Sequence, residues 1–299
     1  MQQQILVTLN GSKLGEAILP HALALARATQ SGITLLRTLT PPRNVGIGLT
    51  DMVLPQDWFD EEREWTSTYL NGIAGYIWEQ GVEARAVMLD GDPAMNILSY
   101  ASQPNVLLIA MASHGREGMG RWLLGSISTQ VIQAMPKPVI VMHPTSKEIV
   151  PSTIIPSYHN IIIPLDGSTR SEHLLEFALP LIRTFGAAVT LAQITPKSTG
   201  QLQTGDGNEY IQHKAQQLRA AGLTVKTQIS TGDPSELLRQ LSMQESDVLV
   251  MAAQREKIEG LVMKFIRHVS VPVLLVPSNS SILKRTKRSI QDQSAPDAF

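Results

Sequence analysis

The 299-residue chain is predicted to fold as an α/β protein with two tandem domains, each a five-stranded, mainly parallel sheet flanked by helices. Its length supports two domains, because one domain usually takes about 100–200 residues. The segment Ile5–Ser12 recurs 156 residues later (161 minus 5) as Ile161–Ser168. In both copies short β-branched runs alternate with helix-length segments, which is typical of βαβ units.

The elements of the first copy follow from hydrophobic periodicity and from the turn residues between the runs. Strands are predicted near 4–9, 33–39, 83–89, 105–111 and 138–142, and helices near 15–30, 57–80, 93–102 and 122–135. Asp92 before Pro93 is typical of a helix N-cap with proline in the first turn. One face of the second helix is predicted to pack in the core through Trp58, Trp65, Tyr69, Ile73 and Ile77.

The second copy repeats this order in a shorter form. Its strands are predicted near 161–165, 187–194, 223–229, 247–253 and 271–277. Asp90–Pro93 recurs as Thr231–Pro234, and Pro138–Val141 recurs as Pro272–Leu275. The offset therefore falls from 156 to 141 (231 minus 90) and then to 134 (272 minus 138), so small deletions separate the landmarks.

These landmarks divide the chain into four parts. Residues 1–143 and 160–277 are the two predicted domains. Residues 144–159 form a predicted linker, because their prolines remove backbone donors and prevent helix formation. Residues 278–299 are polar and without apolar periodicity, which predicts a disordered tail.

Composition argues against several classes of partner and of chemistry. A net charge of −1 gives no field that would favour nucleic acid or a membrane surface. The absence of cysteine excludes disulfides and thiolate metal sites, and is compatible with a cytoplasmic location. Neither a signal peptide nor an apolar run of about 20 residues, the length that spans a bilayer, is expected. The seven histidines have no metal-ligand spacing, so no metal site is expected.

A glycine-rich segment, 112–126, follows a strongly apolar strand and leads into a helix. In open α/β sheets ligands bind beyond the carboxyl ends of the strands, where amides of the loop and helix start attract anions. Gly115 and Gly125 would let backbone amides approach phosphate oxygens, and Ser126 adds a hydroxyl donor. The segment therefore predicts a phosphate-binding loop.

The charged side chains of this segment have two interpretations. Arg116 and Arg121 either bind phosphate in a forked pair or are solvated loop residues. His114 either contacts the ligand or braces the loop. Neither a Walker-type motif nor a Gly-x-Gly-x-x-Gly fingerprint occurs, which argues against a P-loop NTPase and a conventional NAD enzyme.

With these motifs the chain resembles a tandem universal stress protein from about Gln4 to Pro277. That family has Rossmann-like domains of the adenine nucleotide alpha hydrolase-like fold, and many members bind ATP or AMP. In ATP-binding members the loop reads Gly, two residues, Gly, nine residues, Gly and then Ser or Thr. Gly115 and Gly125–Ser126 match this spacing, whereas Ala112 stands at the first glycine.

The resemblance implies a site for ATP or AMP, with or without Mg²⁺, in the N-terminal domain. The family's acidic ribose-binding residue falls on Asn10, which loses the charge-assisted part of such a hydrogen bond. Adenine recognition by backbone groups at the end of the second strand maps near Thr38. The implied ligand contacts are Asn10, Thr38, Ala112, His114, Gly115, Arg116, Gly125 and Ser126.

The second copy departs in the opposite way. It has the acidic residue, Asp166, but its segment 252–260 contains no matching glycine-serine loop. The distance from strand start to proline is 32 residues in the first copy (138 minus 106) and 24 in the second (272 minus 248). Eight loop residues are thus missing, so one nucleotide per chain, or none, is expected.

The predicted function is adenine-nucleotide binding with a stress-response or regulatory role and no catalytic residue. Two alternatives stay open. The first, motivated by Ala112 and Asn10, is a structural or interaction protein in which both sites have lapsed. The second is a weak ATPase or an autophosphorylating protein, although the sequence shows no obvious general base and no fixed metal ligands. The resemblance also implies that the last strands, Val139–Met142 and Val273–Val276, join the copies into an internal pseudo-dimer. The resemblance also leaves open whether two chains associate as a homodimer.

Overall fold

The computed structural model describes most of both copies. The described residues are 2–40, 56–113, 125–143, 155–195, 204–233, 236, 238–240, 242, 247–253, 266, 269 and 271–277. The predicted tail, 278–299, lies outside them, as does most of the glycine-rich loop.

The elements of the first copy alternate between strand and helix as predicted. They are β1 (Gln4–Thr8), α1 (Lys13–Glu16), α2 (Leu19–Ala28), β2 (Gly32–Leu39), α3 (Gln56–Glu79), β3 (Ala84–Asp90), α4 (Pro93–Ala101), β4 (Val106–Ala112), α5 (Ser126–Ala134) and β5 (Val139–Met142). Those of the second copy are β6 (Asn160–Pro164), α6 (Thr169–Phe185), β7 (Ala188–Thr195), α7 (Thr204–Ala220), β8 (Val225–Thr231), β9 (Val248–Ala253) and β10 (Val273–Pro277).

All ten strands form one sheet in the order β3-β2-β1-β4-β5-β10-β9-β6-β7-β8. Neighbouring strands are parallel within each copy. The copies meet where β5 pairs antiparallel with β10, placing Val141 opposite Val273 and Val139 opposite Leu275. The expected internal pairing of the last strands is therefore present, and it gives the sheet a pseudo-twofold arrangement.

Both faces of the sheet are covered, which explains the near-continuous apolar runs in its central strands. Ile5 and Val7 pack on one face with α2, α3, α6 and α7. Leu6 packs on the other face with α4 and α5. Each of these two core layers contains residues of both copies, so the halves share their hydrophobic core.

The helix predicted near 15–30 is two helices, α1 and α2. Pro20 lies in the first turn of α2 and has no N–H to donate to the Glu16 carbonyl, so the first helix ends there. Ser12 caps α1 by accepting a hydrogen bond from the Gly15 amide. The predicted N-cap at Asp92 is confirmed, since its side chain accepts from the Met95 amide at 2.9 Å.

Tyr158 lies in the predicted linker, 144–159, yet it is only 1% exposed. Its hydroxyl lies 2.9 Å from Nδ1 of His21 in α2. Its ring packs edge-on against Phe185 in α6, with 4.8 Å between ring centroids. The end of the linker segment therefore contributes a core residue that contacts a helix of each copy.

Within the described residues, no helix is both long and apolar enough to cross a membrane.

Candidate functional site

A cleft of about 570 Å³ opens beyond the carboxyl ends of β1, β2 and β4, beside the start of α5. This is the crevice position at which open α/β sheets bind ligands. Its described lining comprises Thr8, Leu9, Asn10, Gly15, Leu36, Arg37, Thr38, Leu39, Thr40, Glu62, Pro93, Ile97, Met111, Ala112, Gly125, Ser126, Ile127 and Ser128. The cleft thus brings together all five described residues of the predicted site, although the sequence separates them widely.

Asn10 shapes the loop that follows β1. Its Oδ1 accepts hydrogen bonds from the Ser12 amide at 3.1 Å and from the Ser12 hydroxyl at 2.9 Å. A Cβ at Gly15 would lie 2.5 Å from this oxygen, so a glycine at that position lets the turn close. These two hydrogen bonds of Oδ1 are within its own loop.

Thr38 and Ala112 lie on two different strands at the floor of the cleft. Thr38 Oγ1 accepts a hydrogen bond of 3.4 Å from the Asn96 amide group, which ties β2 to α4. Ala112 is the last residue of β4, pairs with Met142 and is buried. Its small side chain leaves the strand end open toward the cleft.

Gly125 and Ser126 form the helical side of the cleft. Gly125 is the N-cap of α5 with extended backbone, at φ −59° and ψ 153°, and Ser126 is the first helical residue. The first amides of a helix have no partner within the helix and attract anions. This part of the predicted loop therefore presents amides and a hydroxyl to the cleft.

The remaining predicted site residues, His114, Gly115 and Arg116, lie outside the described residues, as does Arg121. The residue before them, Ser113, is fully buried, and its hydroxyl lies 2.9 Å from Nδ1 of His143. The loop therefore leaves β4 from a fixed point between the last two strands of the first copy.

A second group of side chains at the cleft was not predicted from the sequence. It comprises Arg37, Glu62 and Trp65. Arg37 Nη2 lies 2.5 Å from Glu62 Oε1, and the guanidinium lies 4.5 Å from the centre of the Trp65 ring. Arg37 and Glu62 line the cleft. The available signal was an arginine inside an otherwise apolar strand.

The prediction that Trp65 packs in the core is wrong, because the side chain is 47% exposed. Its ring lies against Gly11 and Arg37 at the rim of the cleft, and stacks on Tyr69. Farther along α3, Ile77 is fully buried and Ile73 packs partly buried against the core, as predicted. The side chain of Trp58 lies outside the described residues. The face of α3 that was predicted to be buried therefore packs in the core at Ile73 and Ile77 and is exposed to solvent nearer the start of the helix, at Trp65.

The second copy has the same loop after its first strand but different side chains around it. Asp166 Oδ1 accepts from the Ser168 amide at 3.0 Å and from its hydroxyl at 2.5 Å. Gln193 occupies the place in β7 that Arg37 has in β2, given the matching strand registers. Residues 254–265, which contain the shortened loop, lie outside the described part of the chain.

No group of three or more His, Asp or Glu side chains that could hold a metal ion occurs among the residues described. Glu62 is likewise the only carboxylate in the described lining of the cleft. The described part of the site is therefore suited to hydrogen bonding and to anion binding by a helix start.

Comparison with known proteins gives a consistent family assignment. The model of the universal stress protein family matches residues 1–143 and again 157–277. The universal stress protein YxiE of Bacillus subtilis is 29% identical over 147 residues, covering 48% of this chain and 99% of that protein. The universal stress protein MJ0531 of Methanocaldococcus jannaschii is 26% identical over 151 residues, covering 50% and 86%.

A solved structure extends this likeness to both copies. The crystal structure of a universal stress protein from Archaeoglobus fulgidus superposes with a TM-score of 0.74 at 19% identity. It covers 92% of this chain and 98% of that one. At this identity the likeness establishes the fold.

Proposed function

Because the chain belongs to the universal stress protein family, with two of its domains in tandem, we propose that its N-terminal domain binds one adenine nucleotide, ATP or AMP, in a stress-response or regulatory role. The observation that carries the proposal is the cleft, which collects Asn10, Thr38, Ala112, Gly125 and Ser126. Its volume of about 570 Å³ suits a small molecule, since ligand pockets measure about 300–1,000 Å³.

The phosphates belong at the start of α5. Gly125 and Ser126 offer backbone amides and a hydroxyl there, and the positive end of the helix dipole favours an anion. Ala112 at the end of β4 leaves room for a phosphate or a ribose to approach. Mg²⁺ would arrive with the nucleotide, held by its phosphate oxygens.

The base and sugar belong at the other end of the cleft. Leu36, Leu39 and Ile97 give that end an apolar lining, which suits the faces of a purine ring. Thr38 contributes backbone groups at the end of β2, where hydrogen bonds to the base edge are proposed. Asn10 lies above β1, between base and phosphates, at the place of the ribose.

The proposal is one of binding without turnover. A hydrolase would need a general base near the γ-phosphate, and Glu62, the carboxylate in the described lining, is paired with Arg37. The lapsed-site alternative rests on Asn10 and Ala112, and it predicts no affinity at all.

Nucleotide release and calorimetry test this proposal. The purified chain is denatured and the supernatant analysed for adenine nucleotide, after which ATP is titrated into nucleotide-free protein. We expect released nucleotide or a heat of binding at or below millimolar ATP. Ala112→Gly, which restores the family's glycine, should bind at least as tightly. Neither release nor heat at millimolar ATP would show that the site has lapsed.

A further inference from the structure

The group formed by Arg37, Glu62 and Trp65, called here the Arg37 cluster, is built on one face of α3. Glu62, Trp65 and Tyr69 are spaced three and four residues apart, so their side chains lie on the same side of the helix. Trp65 stacks on Tyr69 with 5.1 Å between ring centroids and 6° between planes. The guanidinium of Arg37 also lies over the Trp65 ring, 4.5 Å from its centre.

The cluster fixes the carboxylate of Glu62 at the cleft. Arg37 Nη2 holds Oε1 at 2.5 Å, with the two side chains 13% and 28% exposed. Within the described residues Oε2 has no hydrogen-bond partner, and Glu62 lines the cleft. A partly desolvated carboxylate oriented by arginine is a strong acceptor for a hydroxyl donor.

Comparison of Asn10 with Asp166 shows that the first copy lacks a negative charge after its first strand. Both side chains accept the same two hydrogen bonds, from Ser12 and from Ser168 respectively. The turn after the first strand therefore forms with either residue. What asparagine removes at this place is the negative charge, and with it a charge-assisted bond to a ligand hydroxyl.

The second copy, which has this charge at Asp166, lacks the Arg37 cluster. The registers of β1 with β2 and of β6 with β7 place Gln193 where Arg37 lies. An amide therefore replaces the guanidinium at this position of the second copy. The two copies thus place an acidic side chain differently: on α3 in the first and after the first strand in the second.

We propose that Glu62 binds the ribose hydroxyls of the nucleotide in the N-terminal cleft, in place of an acid at position 10. Arg37 is the positioning residue, which orients the carboxylate through Nη2. The proposal rests on the nucleotide binding proposed above and adds a selectivity to it. The cleft prefers a nucleotide with a ribose diol over its deoxyribose analogue.

The first test needs no substitution. ATP, 2′-deoxy-ATP and 3′-deoxy-ATP are titrated into the full chain by calorimetry. Loss of a hydroxyl that donates to a carboxylate should weaken binding about 10- to 100-fold. If the wild type binds ATP and both deoxy analogues with the same affinity, this proposal is overturned and the proposed function stays intact.

The second test assigns the selectivity to Glu62. Glu62→Gln should weaken ATP binding about 10- to 100-fold and should weaken each deoxy analogue, which retains one ribose hydroxyl, by less, so that the discrimination falls. Glu61→Gln, on the exposed side of the same helix, is the matched control and should change neither. Asn10→Asp in the Glu62→Gln background should restore part of the preference for ATP.

Two further variants separate positioning from folding. Arg37→Gln, which copies the second domain, should reduce discrimination between ATP and 2′-deoxy-ATP, whereas a purely structural role would weaken both ligands equally. The Arg37→Gln, Glu62→Gln double variant leaves no unpaired charge in the cluster and should show the same loss. Undiminished discrimination in Glu62→Gln overturns this proposal alone. Absence of ATP binding by the wild-type chain overturns the proposed function, and this proposal with it.

Discussion

Gly11, next to Asn10 of the cleft, is constrained both by its backbone and by its neighbours. Its φ of +84° lies in the left-handed region, and a Cβ there would lie 2.8 Å from Trp65 Cη2 and 3.0 Å from Arg37 Nη1. Its counterpart, Gly167, has a similar φ of +76° but nothing within 4 Å of such a Cβ. The pair therefore separates backbone strain from a steric clash.

Gly11→Ala is expected to destabilise the protein more than Gly167→Ala. Both carry a backbone cost of about 1–2 kcal/mol, and the clash adds about 1–3 kcal/mol at Gly11. Urea unfolding of both variants measures the difference, and ATP titration shows whether displacing Trp65 and Arg37 weakens binding. If the two substitutions destabilise the protein equally, the side chains of Trp65 and Arg37 move aside without a measurable loss of stability.

At this scale the sequence pointed to polar and glycine residues that line the cleft, but it missed the charged pair there. The family resemblance mapped Asn10 and Thr38 onto the first two strands, and Gly125 was identified as a glycine that precedes a helix. The Arg37 and Glu62 pair could not be predicted, since it joins a strand to a helix 25 residues away. A contact of that kind depends on the packing angle of α3, which periodicity does not specify.

At the scale of elements, the strands were predictable because both faces of the sheet are buried and the runs are apolar. The one helix predicted near 15–30 divides at Pro20, where a missing backbone donor outweighs the apolar periodicity. Tyr158 escaped prediction for another reason. Its neighbours are polar or proline, and its burial depends on α2 and α6 meeting across the two copies.

The contact of His21 with Tyr158 makes this meeting of helices sensitive to pH. Burial lowers the pKa of His21 to about 4, from an ordinary value of 6.5. Since the folded-state pKa lies below the unfolded one, the contribution to stability is complete above pH 6.5 and is lost as pH falls toward 4. Between pH 7 and pH 4 the loss is roughly 3 kcal/mol.

Unfolding by urea at a series of pH values measures this loss. In His21→Gln, which retains a hydrogen-bonding side chain beside Tyr158, the free energy of unfolding should fall by about 3 kcal/mol less than in the wild type over the same range. His213→Gln, on an exposed position of α7, is the control and should follow the wild-type curve. Identical pH profiles for the wild type and His21→Gln would contradict the assignment.

At the scale of the molecule, the two copies form one sheet because each ends in an apolar strand at its edge. An exposed edge strand of this kind is a pairing template, and here β5 and β10 satisfy each other. That outcome was expected from the repeat. The sharing of both core layers between the copies was not, because it depends on how β5 and β10 align their faces.

The pseudo-twofold sheet repeats the same strand order in both copies, yet we expect one nucleotide per chain. The second copy lacks eight residues between its fourth strand and the following proline, and with them the glycine-serine loop. Ser126→Glu tests this in the first copy, because an acid at the start of α5 suits the helix dipole but repels a phosphate. Asp166→Asn removes the acidic residue that follows the first strand of the second copy.

Calorimetric titration with ATP should give a stoichiometry near one for the wild type and for Asp166→Asn, and no binding for Ser126→Glu. The physical reason is that the proposed phosphate contacts are made by amides at the start of α5, whereas the sequence of the second copy, which has Asp166, contains no matching glycine-serine loop. Circular dichroism of each variant checks that the fold is retained. Binding of two nucleotides would contradict the expected stoichiometry, and residual binding by Ser126→Glu that is lost when Asp166→Asn is added would move the site to the second copy.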